Sequence, residues 1–327
     1  MPIPPPSAPP LSVESYVQVR ETAGEGALPS LAVRRFRVTL RGAPDPKTSY
    51  LVQFFDKTGN RSPSDEHVWV QDAAWKRKSP SGTLTLGQFR PSLGRQRLTG
   101  DRELLVLERA AVSDALVPSG GFVHSFARDF GAQWEPKLSS GHTLSVGLFR
   151  GSGALQESGV GDGNPLLAVR GLRTLRHLEL GVALSGRENR SRNFSKALPG
   201  LTSFSGWDAR TSFEAGYHSK GWRGSAELLT ARFFGTGVSP RRTARGGYLE
   251  AGRKVARHVE VAAMAQFFDP DTSRTDAADT WGWTLGVSLL PPSPRDRWQL
   301  NYVARRERLA PKKNDQLQLQ YQRYLTR

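Results

Sequence analysis

Three arginines, Arg95, Arg97 and Arg102, lie within one long connection that runs from Arg90 to Gly121. Arginine presents a rigid fork of N–H donors whose spacing matches the oxygens of phosphate and carboxylate groups. A connection longer than about 15 residues is usually functional or disordered. The sequence therefore predicts a loop that folds into the interior of the protein, narrows it and presents these three arginines to small anions.

The acidic residues of this loop support a second interpretation. Asp101, Glu103 and Glu108 would pair with its arginines, which would leave an exposed basic loop without a binding function. Such exposed ion pairs contribute little to stability. The apolar stretch Leu104–Leu107 requires cover in either case, and it is a candidate for a short helix.

The segments that must position this loop alternate apolar and polar residues with a period of two. Arg35 and Arg37 alternate with large apolar residues, and Arg223 does the same after Trp222. A period of two is typical of a β-strand with one apolar and one polar face. We therefore predict that Arg35, Arg37 and Arg223 face a polar interior.

This alternating unit recurs along the chain, each time over about ten residues, which is the length that a tilted strand needs to cross a bilayer. The sequence therefore predicts an all-β chain in which residues 11–327 form a single transmembrane antiparallel β-barrel of about 16 strands. The predicted strands are Ser12–Glu21, Leu31–Leu40, Thr48–Asp56, His67–Lys76, Gly82–Phe89, Phe122–Trp134, His142–Phe149, Pro165–Gly171, Leu178–Ser185, Ala209–Tyr217, Trp222–Phe233, Ala244–Gly252, His258–Phe267, Trp281–Leu289, Trp298–Arg305 and Gln316–Tyr324.

The predicted connections alternate in length. Short ones such as Arg77–Ser81 and Ser219–Gly221 alternate with long ones such as Lys57–Glu66 and Gly186–Asp208. Outer-membrane barrels have short turns on one rim and long loops on the other, so the arginine-bearing connection is the third long loop. Aromatic residues near strand ends fit the girdle that such barrels place at the membrane interface. They include Trp134, Trp222, Trp281, Trp298 and Tyr324.

The composition agrees with a barrel wall and excludes several classes of site. Hydrophobic residues make up 37% of the 327 residues, and no apolar run approaches the roughly 20 residues of a helical membrane span. The absence of cysteine excludes disulfides, thiolate zinc sites and cysteine nucleophiles. A net charge of +16 indicates an anionic partner, either nucleic acid, an anionic surface or small anions.

Patterns typical of enzymes are weak in this sequence. The six histidines are scattered, with no pair at the spacing of metal ligands. The sequence contains neither a nucleophile elbow nor a phosphate-binding loop of the Walker type. The glycine-rich stretch Gly159–Asn164 is not followed by a predicted helix, so it is interpreted as a loop turn. We expect no enzymatic activity, no cofactor and no bound metal.

The first ten residues form a proline-rich lead-in that we expect to be extended or disordered. They lack the basic region followed by an apolar region that marks a secretory signal. A barrel of the bacterial outer membrane must be exported, so the expectation is that the signal peptide is absent from this sequence.

Five short segments occur in an order and spacing that resemble the phosphate-selective porin O and P family. They are Val33–Gly42, Leu86–Pro91, Leu107–Arg109, Arg128–Gly131 and Gly147–Gly151. The resemblance is clearest over residues 30–151. It implies a trimeric sixteen-stranded barrel whose third loop enters a lumen lined by basic residues. It also implies that Arg90 and Arg109 bracket this loop and that Arg128 begins the next strand.

The leading functional prediction is a passive, anion-preferring pore of the bacterial outer membrane with an arginine-lined constriction. Its partners would be outer-membrane lipid, small anions such as phosphate or another oxyanion, and two further copies of the chain; no nucleic acid is expected. Two alternatives remain open. One is a soluble, basic, β-rich protein that binds nucleic acid, and the other is a structural or adhesive barrel with a plugged lumen.

Overall fold

The computed structural model describes residues 11–25, 27–56, 68–117, 127–154, 164–195, 197–293, 295–310 and 312–326. The predicted lead-in at 1–10 lies outside the described residues. So do the predicted loop Lys57–Glu66, most of the glycine-rich stretch Gly159–Asn164, and the first residues of the predicted strands His67–Lys76 and Phe122–Trp134.

Sixteen antiparallel strands close into one barrel, each pairing with its neighbours in sequence and β1 pairing with β16. The predicted fold class is therefore confirmed. The strands are β1 Ser12–Gly24, β2 Ala27–Asp45, β3 Thr48–Asp56, β4 Trp69–Ser79, β5 Gly82–Phe89, β6 Asp129–Pro136, β7 His142–Phe149, β8 Leu166–Leu175, β9 Leu178–Arg192, β10 Phe204–Ser219, β11 Trp222–Gly235, β12 Arg242–Ala256, β13 Val259–Asp269, β14 Thr280–Leu289, β15 Asp296–Glu307 and β16 Gln316–Thr326.

Several strands extend beyond their predicted ends on the long-loop rim. The segment Gly186–Asp208, predicted as a loop, belongs mostly to β9 and β10, because Arg187 and Asp208 form a buried ion pair of 3.0 Å between these strands. Similarly, only two residues separate β1 from β2. Hairpin pairing continues past the apolar part of each strand, so the hydrophobic pattern underestimates strand length.

The outer face of the barrel is apolar over its middle band. Large side chains such as Phe213 and Leu249 are 55% and 63% exposed. Trp222, Trp281 and Trp298 are also exposed, and they lie at or near strand ends. Exposing so large an apolar surface to water would be unfavourable, so it is the lipid-facing surface expected of a transmembrane barrel.

The seam between the first and last strands is closed by buried side chains as well as by the backbone. Gln18 donates to Gln322 at 2.7 Å, and Arg20 donates to Gln320 at 2.7 and 3.0 Å. Amide and guanidinium groups inside a barrel need such partners. The seam therefore also places Arg20 on the lumen side of β1.

The lumen has a polar half and an apolar half. Arg35, Arg37 and Thr39 are buried on the inner face of β2, as predicted. The inner face of β11, however, changes from polar residues to Leu229, Ala231 and Phe233, whose side chains join an apolar cluster inside the barrel. The lumen is therefore not entirely water-filled, because loops pack against this apolar patch.

The third long loop, L3, spans residues 90–128, and its described residues, 90–117 and 127–128, lie inside the lumen, which confirms the predicted position. It contains the helices α1 Arg95–Leu98 and α2 Ala111–Leu116. α2 packs against β11, β12 and β13. Neither helix is long, and among the described residues no helix is long and apolar enough to cross a membrane.

Candidate functional site

Loop L3 crosses the lumen and is fixed to the far wall by hydrogen bonds. The carboxylate of Glu227 on β11 accepts hydrogen bonds from the backbone N–H groups of Arg95 and Gln96, at 3.1 and 3.4 Å. The side chain of Gln96 donates to Glu250 on β12 at 3.2 Å. Because Glu227 satisfies N–H groups at the start of α1, the wall itself fixes the beginning of this helix.

Apolar contacts hold the rest of L3 against the same wall. Leu105 lies over Gly252 and Val112 lies over Gly246, each so close that a Cβ atom on the glycine would collide with it. The stretch Leu104–Leu107, predicted as a possible short helix, is buried but not helical. Burial explains this difference, since each large aliphatic side chain gains about 1.5–3 kcal/mol by leaving water, whatever the local backbone conformation.

On the opposite side of L3, facing β1–β6, eight arginines surround four carboxylates. We call this group the arginine cluster. It consists of Arg20, Arg34, Arg35, Arg37, Arg90, Arg97, Arg109 and Arg128 with Asp72, Asp101, Glu108 and Asp114. Since arginine remains protonated in proteins, the cluster carries four more positive than negative charges.

Asp101 of L3 is the centre of the cluster. Its carboxylate lies 2.5 Å from Arg109, 2.6 Å from Arg37 and 3.6 Å from Arg35. Arg37 and Arg35 belong to β2, whereas Arg109 belongs to L3. One buried carboxylate therefore joins the loop to the barrel wall and keeps three guanidinium groups close together despite their mutual repulsion.

Glu108 is a second centre, and its partners are arginines of the barrel wall rather than the loop arginines that the sequence suggested. It pairs with Arg20 of β1 and, at 2.9 Å, with Arg34 of β2. A β-bulge places Arg34 in the lumen: Gln18 pairs with Arg35 while Val19 pairs with Val33, so Arg34 is the extra residue of β2. Strict alternation would turn Arg34 outward, and only the bulge lets Arg34 and Arg35 both face inward.

Three further arginines complete the cluster. Arg97 donates to Asp114 at 2.7 Å, and Arg90 donates to three carbonyl oxygens of L3, including that of Arg97 at 2.6 Å. Arg128, just before β6, makes two hydrogen bonds to Asp72 on β4, at 2.8 and 3.1 Å. Six predicted site residues, Arg35, Arg37, Arg90, Arg97, Arg109 and Arg128, thus come together in one place.

The other three predicted site residues pair with carboxylates outside the cluster. Arg95 pairs with Glu179 on β9 at 3.3 Å, and Arg223 pairs with Glu260 on β13 at 2.6 Å. Arg102 pairs with Glu14 and lies 5.7 Å from the ring centroid of Tyr324. These arginines hold L3 to the wall or neutralise acidic residues of the far wall.

Two cavities meet at the cluster. The smaller, of about 60 Å³, is bounded by Arg34, Arg35 and Arg109, and the larger, of about 480 Å³, extends along β2–β6 toward the short-turn rim. Arg128 is the residue that lines both of them. A small solute that moved along this side of the lumen would therefore pass the guanidinium of Arg128.

Asp101, Glu108 and Arg97 of L3 are held in their charged forms. Burial by itself would raise the pKa of Asp101, but the charges of Arg109 and the neighbouring arginines lower it well below its usual range. Against the same effect of burial, Arg20 lowers the pKa of Glu108. Burial lowers the pKa of Arg97 to about 10, still above neutral pH. These groups therefore remain charged at neutral and mildly acidic pH.

We expect the anion preference to persist between about pH 8 and pH 5, because Asp101 and Glu108 keep their charges over this range. A carboxylate whose pKa is lowered on folding stabilises the protein above its unfolded pKa of about 4, and this stabilisation is lost only as the pH falls toward the lowered value. Reversal potentials measured at both pH values in planar bilayers check this expectation. A selectivity that disappeared on acidification to pH 5 would contradict it.

The described residues contain no group of three or more His, Cys, Asp or Glu side chains arranged to hold a metal ion. Asp101 and Glu108 are surrounded by arginines. The surrounding positive charge repels cations and attracts anions.

Comparison with solved structures identifies the architecture. The anion-selective porin from Comamonas acidovorans has a TM-score of 0.73 and 12% identity, over 97% of this chain and 99% of that chain. OmpT of Vibrio cholerae in its trimer form has a TM-score of 0.67 and 12% identity, over 96% and 99%. The chain has the fold of outer-membrane porins.

The porin fold is shared at very low sequence similarity. The outer membrane channel DcaP of Acinetobacter baumannii has a TM-score of 0.66 and 11% identity, over 96% of this chain and 97% of that chain. No protein family model and no curated protein sequence matches the chain. The likeness therefore concerns the sixteen-stranded barrel, while the function must be argued from the residues of the lumen.

Proposed function

We propose that the protein is a passive, anion-preferring diffusion channel of the bacterial outer membrane. The observation that carries this proposal is the excess of four positive charges in the arginine cluster, at the point where the two cavities meet. A fixed positive field in a narrow, low-dielectric passage concentrates anions and repels cations. No cofactor is needed, since diffusion down a gradient supplies the free energy.

The position of L3 supports an arginine-lined route. The far wall carries Glu214, Glu227 and Glu250 on β10–β12, and these carboxylates are occupied by hydrogen bonds to L3 or to neighbouring strands. Arg170, for example, donates to Glu214 at 2.6 Å. L3 thus stands between the acidic wall and the remaining space, so a permeating ion would meet mainly guanidinium groups.

A preference for phosphate or another small oxyanion is the finer part of the proposal. Arg35 and Arg37 project from one strand toward the same carboxylate, and a pair of guanidinium groups at this spacing suits an oxyanion with several oxygens. The segments that resemble the phosphate-selective porin family contribute six arginines to the cluster, namely Arg34, Arg35, Arg37, Arg90, Arg109 and Arg128. We further propose a homotrimer, in line with the trimer form of OmpT.

The test is conductance in a planar bilayer under a KCl gradient. The proposal expects a reversal potential of the sign that shows chloride preference. Inorganic phosphate, added at constant ionic strength, is expected to lower the chloride current if oxyanions bind at the cluster. A reversal potential showing potassium preference contradicts the proposal. An unchanged chloride current would leave a general anion channel.

A plugged barrel is the second candidate function, favoured by the small volume of about 60 Å³ at the cluster. In that case the protein would insert into the bilayer, migrate as a compact heat-modifiable band and conduct almost no current. The same bilayer experiment distinguishes the two functions, because a channel requires measurable conductance per inserted barrel.

A further inference from the structure

The outer surface of strands β7–β13 bears an apolar groove with a volume of about 1130 Å³, which we call the outer groove. It follows rows of cross-strand partners, so it runs around the barrel from strand to strand. One row consists of Leu144, Gly171, Val182, Phe213, Leu228, Gly247 and Phe267. The groove exists because glycine replaces a large outward side chain on β8 and β12.

A second outward row gives the groove its direction. It consists of His142, Arg173, Leu180, Ala215, Ala226, Leu249 and Ala265. His142 is the first residue of β7, at the short-turn rim, whereas Leu249 and Ala265 lie near the middle of β12 and β13. Six interstrand steps of about 4.8 Å make the row about 29 Å long. The groove therefore rises from the rim into the apolar band.

The rim end of the groove is cationic. Arg173 is exposed there, beside His142, and no ion pair joins it to a carboxylate of the described residues. Lys137 and Arg176 are exposed in the two adjoining turns. At the level of the lipid headgroups, each such cation stabilises the contact with anionic lipid by about 1 kcal/mol. A ligand that fits must be anionic at one end and apolar along its length.

We infer that the outer groove binds an anionic glycerophospholipid, with its phosphate against Arg173 and one acyl chain along the groove. The groove supplies apolar contact for any lipid, but only the cationic rim distinguishes an anionic headgroup from a zwitterionic one. The inference concerns the outside of the barrel and does not depend on what passes through the lumen. It commits to lipid rather than to a second copy of the chain, because the cationic end offers nothing to an apolar protein surface.

Native mass spectrometry of the full chain, released from detergent after incubation with dioleoylphosphatidylglycerol or dioleoylphosphatidylcholine, tests the inference. We expect wild type to retain the anionic lipid at least about tenfold more than the zwitterionic one, a difference of about 1.4 kcal/mol. Arg173→Gln is expected to lower this ratio toward one. The matched control is Arg77→Gln, which removes an exposed cation at the same rim on β4, outside the groove, and should leave the ratio unchanged.

A second variant tests the groove rather than the charge. A Cβ atom at Gly171 would meet no heavy atom within 4 Å, so the backbone tolerates a side chain there, and Gly171→Leu places that side chain in the groove. It should keep the compact heat-modifiable band and lose most retained lipid of both kinds. Equal retention of the two lipids by wild type, or wild-type retention by Gly171→Leu, would overturn the inference. So would a Gly171→Leu variant that lost only its oligomeric state, since the occupant would then be a second copy.

Discussion

Replacing Arg128 by glutamine is expected to reduce the ratio of anion to cation permeability by about fivefold. Arg128 lines both cavities and is held by two hydrogen bonds to Asp72. A unit charge about 8 Å from an ion contributes about 0.5 kcal/mol in water. Because this charge attracts an anion and repels a cation, the ratio of the two permeabilities changes by about 1 kcal/mol, or about fivefold. The change also leaves Asp72 without its partner, which adds to the loss of anion preference.

Two further variants make the Arg128 experiment specific. Arg128→Lys keeps the charge and should retain most of the selectivity, while losing the forked contact that suits an oxyanion. Arg245→Gln removes an arginine that also pairs with an aspartate, Asp269, but whose side chain is 59% exposed on β12. Reversal potentials under a KCl gradient should change for Arg128→Gln alone. Equal shifts for the Arg128 and Arg245 variants would show that selectivity comes from net charge and not from this position.

Asp101→Asn is expected to destabilise the folded barrel by about 3 kcal/mol and to increase its anion preference at the same time. Removing one partner of a buried ion pair typically costs about 3–5 kcal/mol, because the remaining charges stay buried without compensation. Here three guanidinium groups, those of Arg35, Arg37 and Arg109, would lose their shared carboxylate. The charge excess of the cluster would rise from four to five.

The stability change is measured from the urea concentration at which the compact band of the folded protein disappears from the gel. The selectivity is measured from the reversal potential. Asp269→Asn is the matched control, since its partner Arg245 is exposed and such a pair contributes at most about 1 kcal/mol. If both variants unfolded at the same urea concentration, Asp101 would not hold L3 to β2. A lower anion preference in Asp101→Asn would contradict the assignment of the cluster as the selective region.

The barrel could be predicted from the sequence because the alternation of apolar and polar residues depends only on which face of each strand contacts lipid. Arg35 and Arg37 were placed correctly on this basis. Arg34 was not, because one inserted residue reverses the alternation, and the bulge depends on the register with β1 rather than on the local pattern. The inward position of the apolar residues Leu229 and Phe233 could not be predicted for a related reason, because they pack in a cluster with loop residues distant in sequence.

The sequence indicated the arginines of L3 and the acidic residues of the same loop that could pair with them, but not their pairing with arginines of the barrel wall. To predict that Asp101 and Glu108 lie at the centre of the cluster, one would need to know the path of the loop across the lumen. This path depends on contacts such as that of Leu105 with Gly252. The sequence offered two interpretations of L3, an anion-binding loop and an internally paired basic loop. In the structure, arginines of the loop and of the wall pair with carboxylates, and the same carboxylates bring these arginines together in one cluster.

The bonds across the seam between β1 and β16 have a consequence for biogenesis. Arg20 reaches Glu108 while its guanidinium is held by Gln320 of the final strand. A chain still emerging from the ribosome, or one halted before β16, would lack this support and would present two unpaired edges prone to aggregation. The full set of contacts around Arg20 therefore forms only once the last strand is in place.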